Sequence, residues 1–251
     1  MNLNTNLLNT NDKPILFLIP SLIHGGAENS LCKIVELFSN KKFIILTLIP
    51  GGENYKRISK QKNVEVICLK MNNLYDSFRI LKDIIKIIKI HDPLYVGSFL
   101  YLCDFFASLA YIFNPNYPFV WFVRHGLDSS DKLSNKILVR ILAIFSHYIP
   151  KIIVFNSEKV RSQHFKVGYK IKSSYILHNT VDLEKFAPSK LNFKEKLAKE
   201  INISSEKIFI GCVSRFHPNK GIFDLLRGFA FLKNKKDNFH LILTGYKLSK
   251  E

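Results

Sequence analysis

A strand–loop–helix–strand pattern over residues 207–245 constrains the fold of this chain more than any other feature. Ile208–Val213 is a short continuous apolar run, which predicts a strand buried on both faces of a sheet. Residues 222–232 then carry apolar side chains at helical spacing, and Phe239–Gly245 supplies a second strand. Strands joined in this way are parallel, with a right-handed crossover. The pattern therefore predicts an α/β fold built from βαβ units.

The earlier part of the chain repeats this alternation. Strands are predicted at residues 14–20, 43–49, 64–69, 94–99, 119–123 and 152–155, and helices at 27–38, 74–90 and 133–145. Tyr95–Phe113 is apolar over a length that could span a membrane, but Asp104 within it favours a buried strand and helix. We expect a loose tail at residues 1–13, a doubly wound domain at 14–186, and a linker with a second, incomplete α/β domain at 187–251.

Two cations lie in the loop after the strand at 208–213. Arg215 is predicted at the carboxyl end of that strand, and Lys220 and Gly221 at the start of the next helix. Free backbone N–H groups and the helix dipole favour an anion there, and Arg with Lys suits a diphosphate. The alternative is an ordinary solvated turn, since basic residues are common in loops.

A glycine pair, Gly25 and Gly26, joins the first predicted strand to the first helix. Glycines let the backbone come close to a ligand, and a helix N-terminus can hold an anion. The loop lacks the Gly-x-Gly-x-x-Gly fingerprint of dinucleotide-binding proteins. A tight turn with no ligand explains the same residues.

His125 follows the predicted strand at 119–123, which places it at the carboxyl edge of the sheet. Ligands of such sheets bind at this edge, so His125 is a candidate ligand contact. A purely structural histidine is the alternative. Further along, Ser157 has the position of a helix N-cap, which needs no functional explanation.

Composition limits the class of protein without deciding its function. A hydrophobic content of 47% supports a substantial core, and the net charge of +17 fits nucleic acid, an anionic membrane or a phosphorylated ligand. The excess is mostly lysine scattered along the chain, with no zinc-ligand spacing and no RNA-binding signature. The absence of a secretory pattern and of Cys-x-x-Cys indicates a cytoplasmic protein with buried free thiols. The cysteines are Cys32, Cys68, Cys103 and Cys212.

Taken in order, the motifs resemble those of the family 4 retaining glycosyltransferases, which have the GT-B fold of two Rossmann-like domains. The resemblance covers residues 14–245. The matching motifs are His24-Gly25-Gly26-Ala27-Glu28, Arg124-His125-Gly126, Asn156-Ser157-Glu158, His178 to Phe186, and Ser214-Arg215 to Lys220-Gly221.

The resemblance implies transfer of a sugar from a nucleotide-diphosphate donor with retention of configuration. Arg215 and Lys220 would neutralise the donor diphosphate, with Gly221 beside them, and stabilise the leaving group. Gly25 and Gly26 would approach the donor phosphate or the acceptor, and His125 would contact the transferred sugar. It also implies neither a protein nucleophile nor a cofactor, and no Asp-x-Asp metal motif is present.

The sequence departs from the family pattern at several points. Ser214 and Thr180 stand where the family usually has glycine. The Glu-x7-Glu motif that holds the donor sugar is absent, so we expect a chain truncated within its donor domain. A truncated, catalytically inactive relative that keeps acceptor or partner binding is therefore the alternative to an enzyme.

The resemblance implies a glycan or lipid-linked acceptor, in bacterial surface polysaccharide or lipopolysaccharide synthesis. In the helix predicted at 74–90, the apolar stripe and Lys82, Lys86 and Lys89 would allow peripheral contact with an anionic membrane, on the inner face of the cell membrane. Burial of that stripe in the protein explains it equally well. Nucleic acid is not expected as a partner, because the basic residues are dispersed.

Overall fold

The computed structural model describes residues 13–23, 25–128, 132–170, 173–181, 183–184, 186–187, 192–214, 216, 220–235 and 237–245. The chain divides into two compact units, Met1–Val181 and Asp182–Glu251. The strands are β1 Ile15–Ile19, β2 Phe43–Thr47, β3 Val64–Cys68, β4 Tyr95–Phe99, β5 Phe119–Val123, β6 Pro150–Phe155, β7 Ser174–Ile176, β8 Ile208–Val213 and β9 Phe239–Thr244. The α-helices are α1 Gly26–Leu37, α2 Glu53–Ile58, α3 Ser77–His91, α4 Tyr101–Phe113, α5 Leu133–Phe145, α6 Glu158–Lys166, α7 Phe193–Glu200 and α8 Ile222–Lys235.

The first unit contains a parallel seven-stranded sheet in the order β3-β2-β1-β4-β5-β6-β7. The chain moves outward from β1 to β3 and then returns to place β4 against the other side of β1. The order therefore reverses between β1 and β4, which is the switch point where doubly wound sheets bind ligands. The predicted doubly wound α/β architecture is confirmed.

Helices cover both faces of this sheet because its strands are apolar on both sides. Alternate residues of β1, such as Leu16 and Phe17, enter different core clusters. One cluster is closed by α3 and α4, and the other by α1 and α2. A third cluster, around Trp121, joins β5 and β6 to α5 and α6. Cys32 and Cys103 are buried in this core, whereas Cys68 and Cys212 are half-buried.

The second unit has a parallel two-stranded sheet, β8-β9, joined through α8. The predicted βαβ unit is confirmed, but the prediction that β8 is buried on both faces is wrong. Ile208 is 47% exposed and Val213 is 83% exposed. The physical reason is the small size of the sheet, since within the described residues β8 pairs with β9 alone and a two-stranded sheet buries little of its surface.

Other predicted boundaries need smaller corrections. The helix predicted from residue 74 begins with a 3₁₀ turn at Leu74–Asp76, and the α-helix starts at Ser77. The strand predicted at 152–155 starts at Pro150 and is followed by β7 in the same sheet. The apolar stretch at 95–113 forms β4 and α4, as predicted. No helix in the described part of the chain is long and apolar enough to cross a lipid bilayer.

Candidate functional site

The carboxyl edge of the first sheet brings together the turns that follow β1, β4 and β5. Leu18 of β1 is in register with Ser98 of β4, and Ser98 with Trp121 of β5. Neighbouring strands lie about 4.8 Å apart, so the turns after β1 and β5 are about 10 Å apart across the edge. This edge includes the switch point between β1 and β4. Doubly wound sheets bind ligands at such a switch point, which makes this edge the candidate site of the first unit.

The glycine loop, which we define as residues 20–26, is held by the turn between β2 and α2. The backbone N–H of buried Asn54 donates to Leu22 O at 3.1 Å, and its side-chain Nδ2 donates to Ile23 O at 2.9 Å. A Cβ on Gly52 would lie 2.2 Å from Leu22 O. The loop is therefore fixed by backbone contacts that only a glycine at position 52 allows. His24 of the predicted motif lies outside the described residues.

Gly25 and Gly26 have different surroundings. A Cβ on Gly25 would lie 2.2 Å from Glu28 Oε2, whereas a Cβ on Gly26 would meet nothing within 4 Å. Gly25 thus makes room for the Glu28 carboxylate, which folds back over the N-terminus of α1. Gly26 is exposed, and its open side is where a ligand can reach the backbone of this loop.

The turn after β4 is strained. Leu100 has φ 70° and ψ 151°, a conformation that is essentially restricted to glycine. Such a conformation costs of order 1–3 kcal/mol and persists where surrounding contacts enforce it. It lies at the switch point and makes Tyr101 the first residue of α4.

The turn after β5 carries His125 and is fastened by side chains from other elements. We call residues Arg124–Leu127 the histidine turn. The Asn156 side-chain amide donates to Arg124 O at 3.1 Å. Gln163 of α6 donates to Leu127 O at 3.2 Å and accepts from Leu127 N at 3.1 Å. The backbone of the turn is therefore preorganised, while the side chain of His125 is exposed at the edge.

Tyr101 completes this set of contacts from the side of α4. Its hydroxyl lies 3.1 Å from His125 O and 2.8 Å from Nε2 of His164. His164 is fully buried in α6, and its Nδ1 lies 2.8 Å from Val160 O. Burial lowers the pKa of His164 from 6.5 to about 4, so its imidazole is neutral at ordinary pH.

Arg124 places a partly buried positive charge beside the same edge. Its Nη1 donates to Leu177 O at 2.6 Å, and its guanidinium lies 5.9 Å from the centre of the Phe122 ring. Its Nε and Nη2 are buried and have no hydrogen-bond partner among the described residues. Burial lowers the pKa of Arg124, which nevertheless stays charged because a guanidinium is so basic. The charge favours anionic ligands at this edge.

The second unit has its own strand–turn–helix arrangement. Lys220 is exposed and directly precedes Gly221, which has a left-handed φ of 63°. The Gly221 carbonyl accepts from Leu225 N at 2.9 Å, so the turn leads straight into α8. A cation next to a helix N-terminus suits a phosphate. Arg215 lies outside the described residues.

The predicted site residues are thus distributed over both units, with Gly25, Gly26 and His125 in the first and Lys220 and Gly221 in the second. In the described part of the chain, no group of three or more His, Cys, Asp or Glu side chains is placed to hold a metal ion. Sequence reasoning missed the residues that hold the loops. These are Asn54, Tyr101, Asn156 and Gln163, each of which acts through a partner distant in sequence.

No protein-family model matches this chain, and no curated protein matches it. The structure is similar to that of Anabaena Alr3699/HepE in complex with UDP and glucose. The match has a TM-score of 0.76 and 16% sequence identity, and it covers 94% of this chain and 62% of that chain. The fold is that of the GT-B glycosyltransferases. This chain therefore spans about three-fifths of the HepE chain that it matches.

Other proteins with this GT-B-like fold have different activities. The lipopolysaccharide outer core galactosyltransferase WaaB, in its apo form, matches with a TM-score of 0.60 and 13% identity, over 94% of this chain and 69% of that chain. UDP-N-acetylglucosamine 2-epimerase from Rickettsia bellii matches with a TM-score of 0.57 and 11% identity, over 94% of this chain and 62% of that chain. At such identities the likeness shows the GT-B-like fold, and the reaction must be argued from the site.

Proposed function

We propose that this chain acts in a retaining glycosyltransferase that moves a sugar from a nucleotide-diphosphate donor to a glycan or lipid-linked acceptor. The observation that carries the proposal is the histidine turn, which presents exposed His125 from a preorganised backbone at the switch-point edge. The open side of Gly26 lies at the same edge. The structural likeness to HepE, solved with UDP and glucose, supports a nucleotide-sugar donor.

In the proposed reaction, the bond between the sugar C1 and the donor phosphate breaks, and a bond from C1 to the acceptor oxygen forms on the same face. The leaving phosphate takes the proton of the acceptor hydroxyl, so neither a protein nucleophile nor a metal is needed. Lys220, with Arg215, stabilises the charge that develops on the diphosphate. His125 contacts the transferred sugar, and the backbone at Gly26 approaches the phosphate or the acceptor.

The donor test measures nucleotide binding and sugar turnover by the 251-residue chain with a panel of UDP-, GDP- and ADP-sugars. Lys220→Ala should weaken binding of the nucleoside diphosphate and reduce turnover. Lys233→Ala, which removes another exposed lysine from the same unit, should change neither. Chelation with EDTA should leave turnover unchanged. A chain that neither binds nor consumes any donor would contradict the proposal and favour a catalytically inactive relative.

An exposed stripe on the first unit bears on the acceptor. We call it the α3 stripe, and it consists of Tyr75 in the 3₁₀ turn before α3 and of Phe78, Lys82, Lys86 and Lys89 in α3. Tyr75 and Phe78 are 97% and 77% exposed, and Lys82, Lys86 and Lys89 continue along the same side at helical spacing. Aromatic side chains insert at a membrane interface, and lysines are attracted to anionic lipid headgroups. We propose that this stripe rests on an anionic lipid surface.

The acidic residues near the stripe offset only part of its charge, because Asp76, Asp83 and Arg79 together carry −1 against the +3 of the three lysines. Asp76 and Asp83 both pair with Arg79, at 3.5 and 3.3 Å. The apolar side of the same helix, through Ile80 and Ile84, is buried in the core. Burial thus explains the isoleucine face formed by Ile80, Ile84 and Ile88, but it leaves the aromatic and lysine stripe exposed. The proposal therefore includes a peripheral position on the inner face of the cell membrane, with lipid-linked acceptors of surface polysaccharide or lipopolysaccharide synthesis.

Vesicle sedimentation tests the α3 stripe without any enzymatic assay. The protein should sediment with anionic vesicles and not with neutral ones, and salt should weaken the binding. The double variant Tyr75→Ser/Phe78→Ser should lose most of this binding. Phe165→Ser, which removes an exposed aromatic residue from α6, should retain it. Equal behaviour of the protein towards both kinds of vesicle would contradict the proposed membrane contact.

A further inference from the structure

The hydroxyl of Tyr101 joins two parts of the first unit that are distant in sequence. It contacts His125 O at 3.1 Å and His164 Nε2 at 2.8 Å, and the tyrosine is 8% exposed. A buried hydroxyl with two partners of fixed position has little freedom to move. Through His125 O, Tyr101 thus contacts the backbone of the residue whose imidazole is exposed at the edge of the sheet.

The protonation state of His164 determines whether the Tyr101 hydroxyl donates or accepts in their contact. Val160 O can only accept, so Nδ1 of His164 carries the hydrogen of that 2.8 Å contact. Because burial keeps the imidazole neutral, Nε2 has no hydrogen and accepts from Tyr101. His125 O also accepts, and the one hydroxyl hydrogen of Tyr101 therefore lies between two acceptors. Removing that hydroxyl leaves both acceptors without this donor.

The ring of Tyr101 also flanks the imidazole of His125. The two ring centroids are 6.3 Å apart with an interplanar angle of 81°, an edge-to-face arrangement. Tyr101 itself is placed by the strained Leu100 at the start of α4 and by burial in the third core cluster. One residue thus restrains both the backbone and the ring of His125.

We infer that Tyr101 is a positioning residue for His125, held in turn by His164, and that it sets the orientation in which His125 meets the transferred sugar. The inference rests on the proposed transfer reaction. A misplacement of a contacting group by about 1 Å can cost about 100-fold in rate, so the loss of this restraint should appear in kcat. The tyrosine acts through His125 and does not touch the substrate.

The test compares Tyr101→Phe with Tyr169→Phe. Both tyrosines are buried in the same core cluster, and the Tyr169 hydroxyl has no partner among the described residues. Each change removes one buried hydroxyl and keeps the ring. Tyr101→Phe should lower kcat about 10- to 100-fold with KM for the donor nearly unchanged. Tyr169→Phe should leave kcat and KM as in the wild type.

A second measurement does not depend on activity. The NMR chemical shifts of the His125 imidazole, assigned by their loss in His125→Asn, should move in Tyr101→Phe and stay in place in Tyr169→Phe. The positioning role would be overturned if the His125 shifts in Tyr101→Phe were the same as in Tyr169→Phe. It would also be overturned if an active enzyme had the same kcat in both variants. A wild type without transfer activity would count against the proposed function, while the shift comparison would still decide whether Tyr101 positions His125.

Discussion

The strand–turn–helix arrangements of the two units share a sequence pattern but differ in how they are held. In the first unit, β5 lies between β4 and β6, and Trp121 and Val123 are fully buried. In the second unit, Val213 at the end of β8 is 83% exposed. An apolar run followed by a helical pattern specifies the local elements in both cases. Burial depends instead on how many layers surround the strand.

The turns differ in the same way. The histidine turn is fastened through its backbone by side chains from α4, α6 and the end of β6, so His125 is presented in a defined position. Lys220 is exposed, and Gly221 after it accepts a backbone hydrogen bond from Leu225 N in the first turn of α8. In the proposed function, the first unit would supply a rigid contact for a small reacting group. The second would supply a charge, whose action on a phosphate depends less on exact placement.

The largest expected difference between the units is in their cores. Phe17 is fully buried and its ring contacts those of Phe43, Phe99 and Phe122. Phe17→Ala should lower the free energy of unfolding by about 3–5 kcal/mol. Ile210→Ala in half-buried β8 should cost no more than about 2 kcal/mol. Urea unfolding measures both, and an equal cost would show that the two cores are equally well packed.

A pH effect of about 3 kcal/mol is expected in the first unit, because the pKa of His164 is about 4 in the folded protein and 6.5 when the side chain is exposed to water, as in the unfolded chain. Between these values the unfolded chain binds more protons, so stability falls as the pH is lowered from 6.5 towards 4. His164→Phe should remove this part of the pH dependence. Urea unfolding at several pH values tests it, and parallel curves for both proteins would exclude a depressed pKa.

Replacing glycines that have a positive φ tests how rigidly the turns of the two units are held, with smaller expected effects on stability. Gly52 has φ 115° and no room for a Cβ, because of Leu22 O, whereas Gly221 has φ 63° and nothing within 4 Å of a Cβ. Gly52→Ala should cost about 3 kcal/mol and loosen the glycine loop. Gly221→Ala should cost about 1 kcal/mol, the strain of a left-handed alanine. Thermal unfolding compares them, and a costlier Gly221→Ala would reverse the assignment of rigidity to the two turns.

The smallest expected effects separate stability from binding within the glycine loop. Gly25→Ala should cost about 1 kcal/mol, because the new Cβ displaces the carboxylate of Glu28. Gly26→Ala should leave stability within about 0.5 kcal/mol, since its Cβ has open space. If a ligand approaches there, the Gly26 variant should nevertheless bind nucleoside diphosphate more weakly. Titration calorimetry measures this, and unchanged binding would place the ligand elsewhere.

Much of the fold could be predicted from the sequence, because buried parallel strands and amphipathic helices leave clear periodic patterns. The runs at β2 and β5 and the N-cap at Ser157, whose Oγ accepts from Val160 N at 3.3 Å, are confirmed in this way. Short elements were missed, such as β7 and α2, since a few residues carry no readable period. The exposure of β8 depends on tertiary neighbours that a local pattern does not contain.

The candidate site was predictable only in its exposed residues. His125 and the glycine pair follow apolar strands, which indicates their edge of the sheet. The residues that hold them, such as Tyr101 and Asn54, look like ordinary helix residues in the sequence. The contact from Tyr101 to His125 spans 24 positions, and that from Tyr101 to His164 spans 63. Contacts between residues so far apart in the sequence form only when the sheet brings their turns together, so a local sequence pattern does not predict them.

The most direct test of the proposed function is the rate of sugar transfer from UDP-sugars by His125→Ala compared with His147→Ala. His147 is also exposed, but it lies after α5 and makes a hydrogen bond to Gly168 O at 3.0 Å. The proposal predicts that His125→Ala lowers kcat about 100-fold or more, as expected for loss of a group that contacts the reacting centre, while His147→Ala keeps the wild-type rate. Equal rates in the two variants would contradict a catalytic role for the histidine turn.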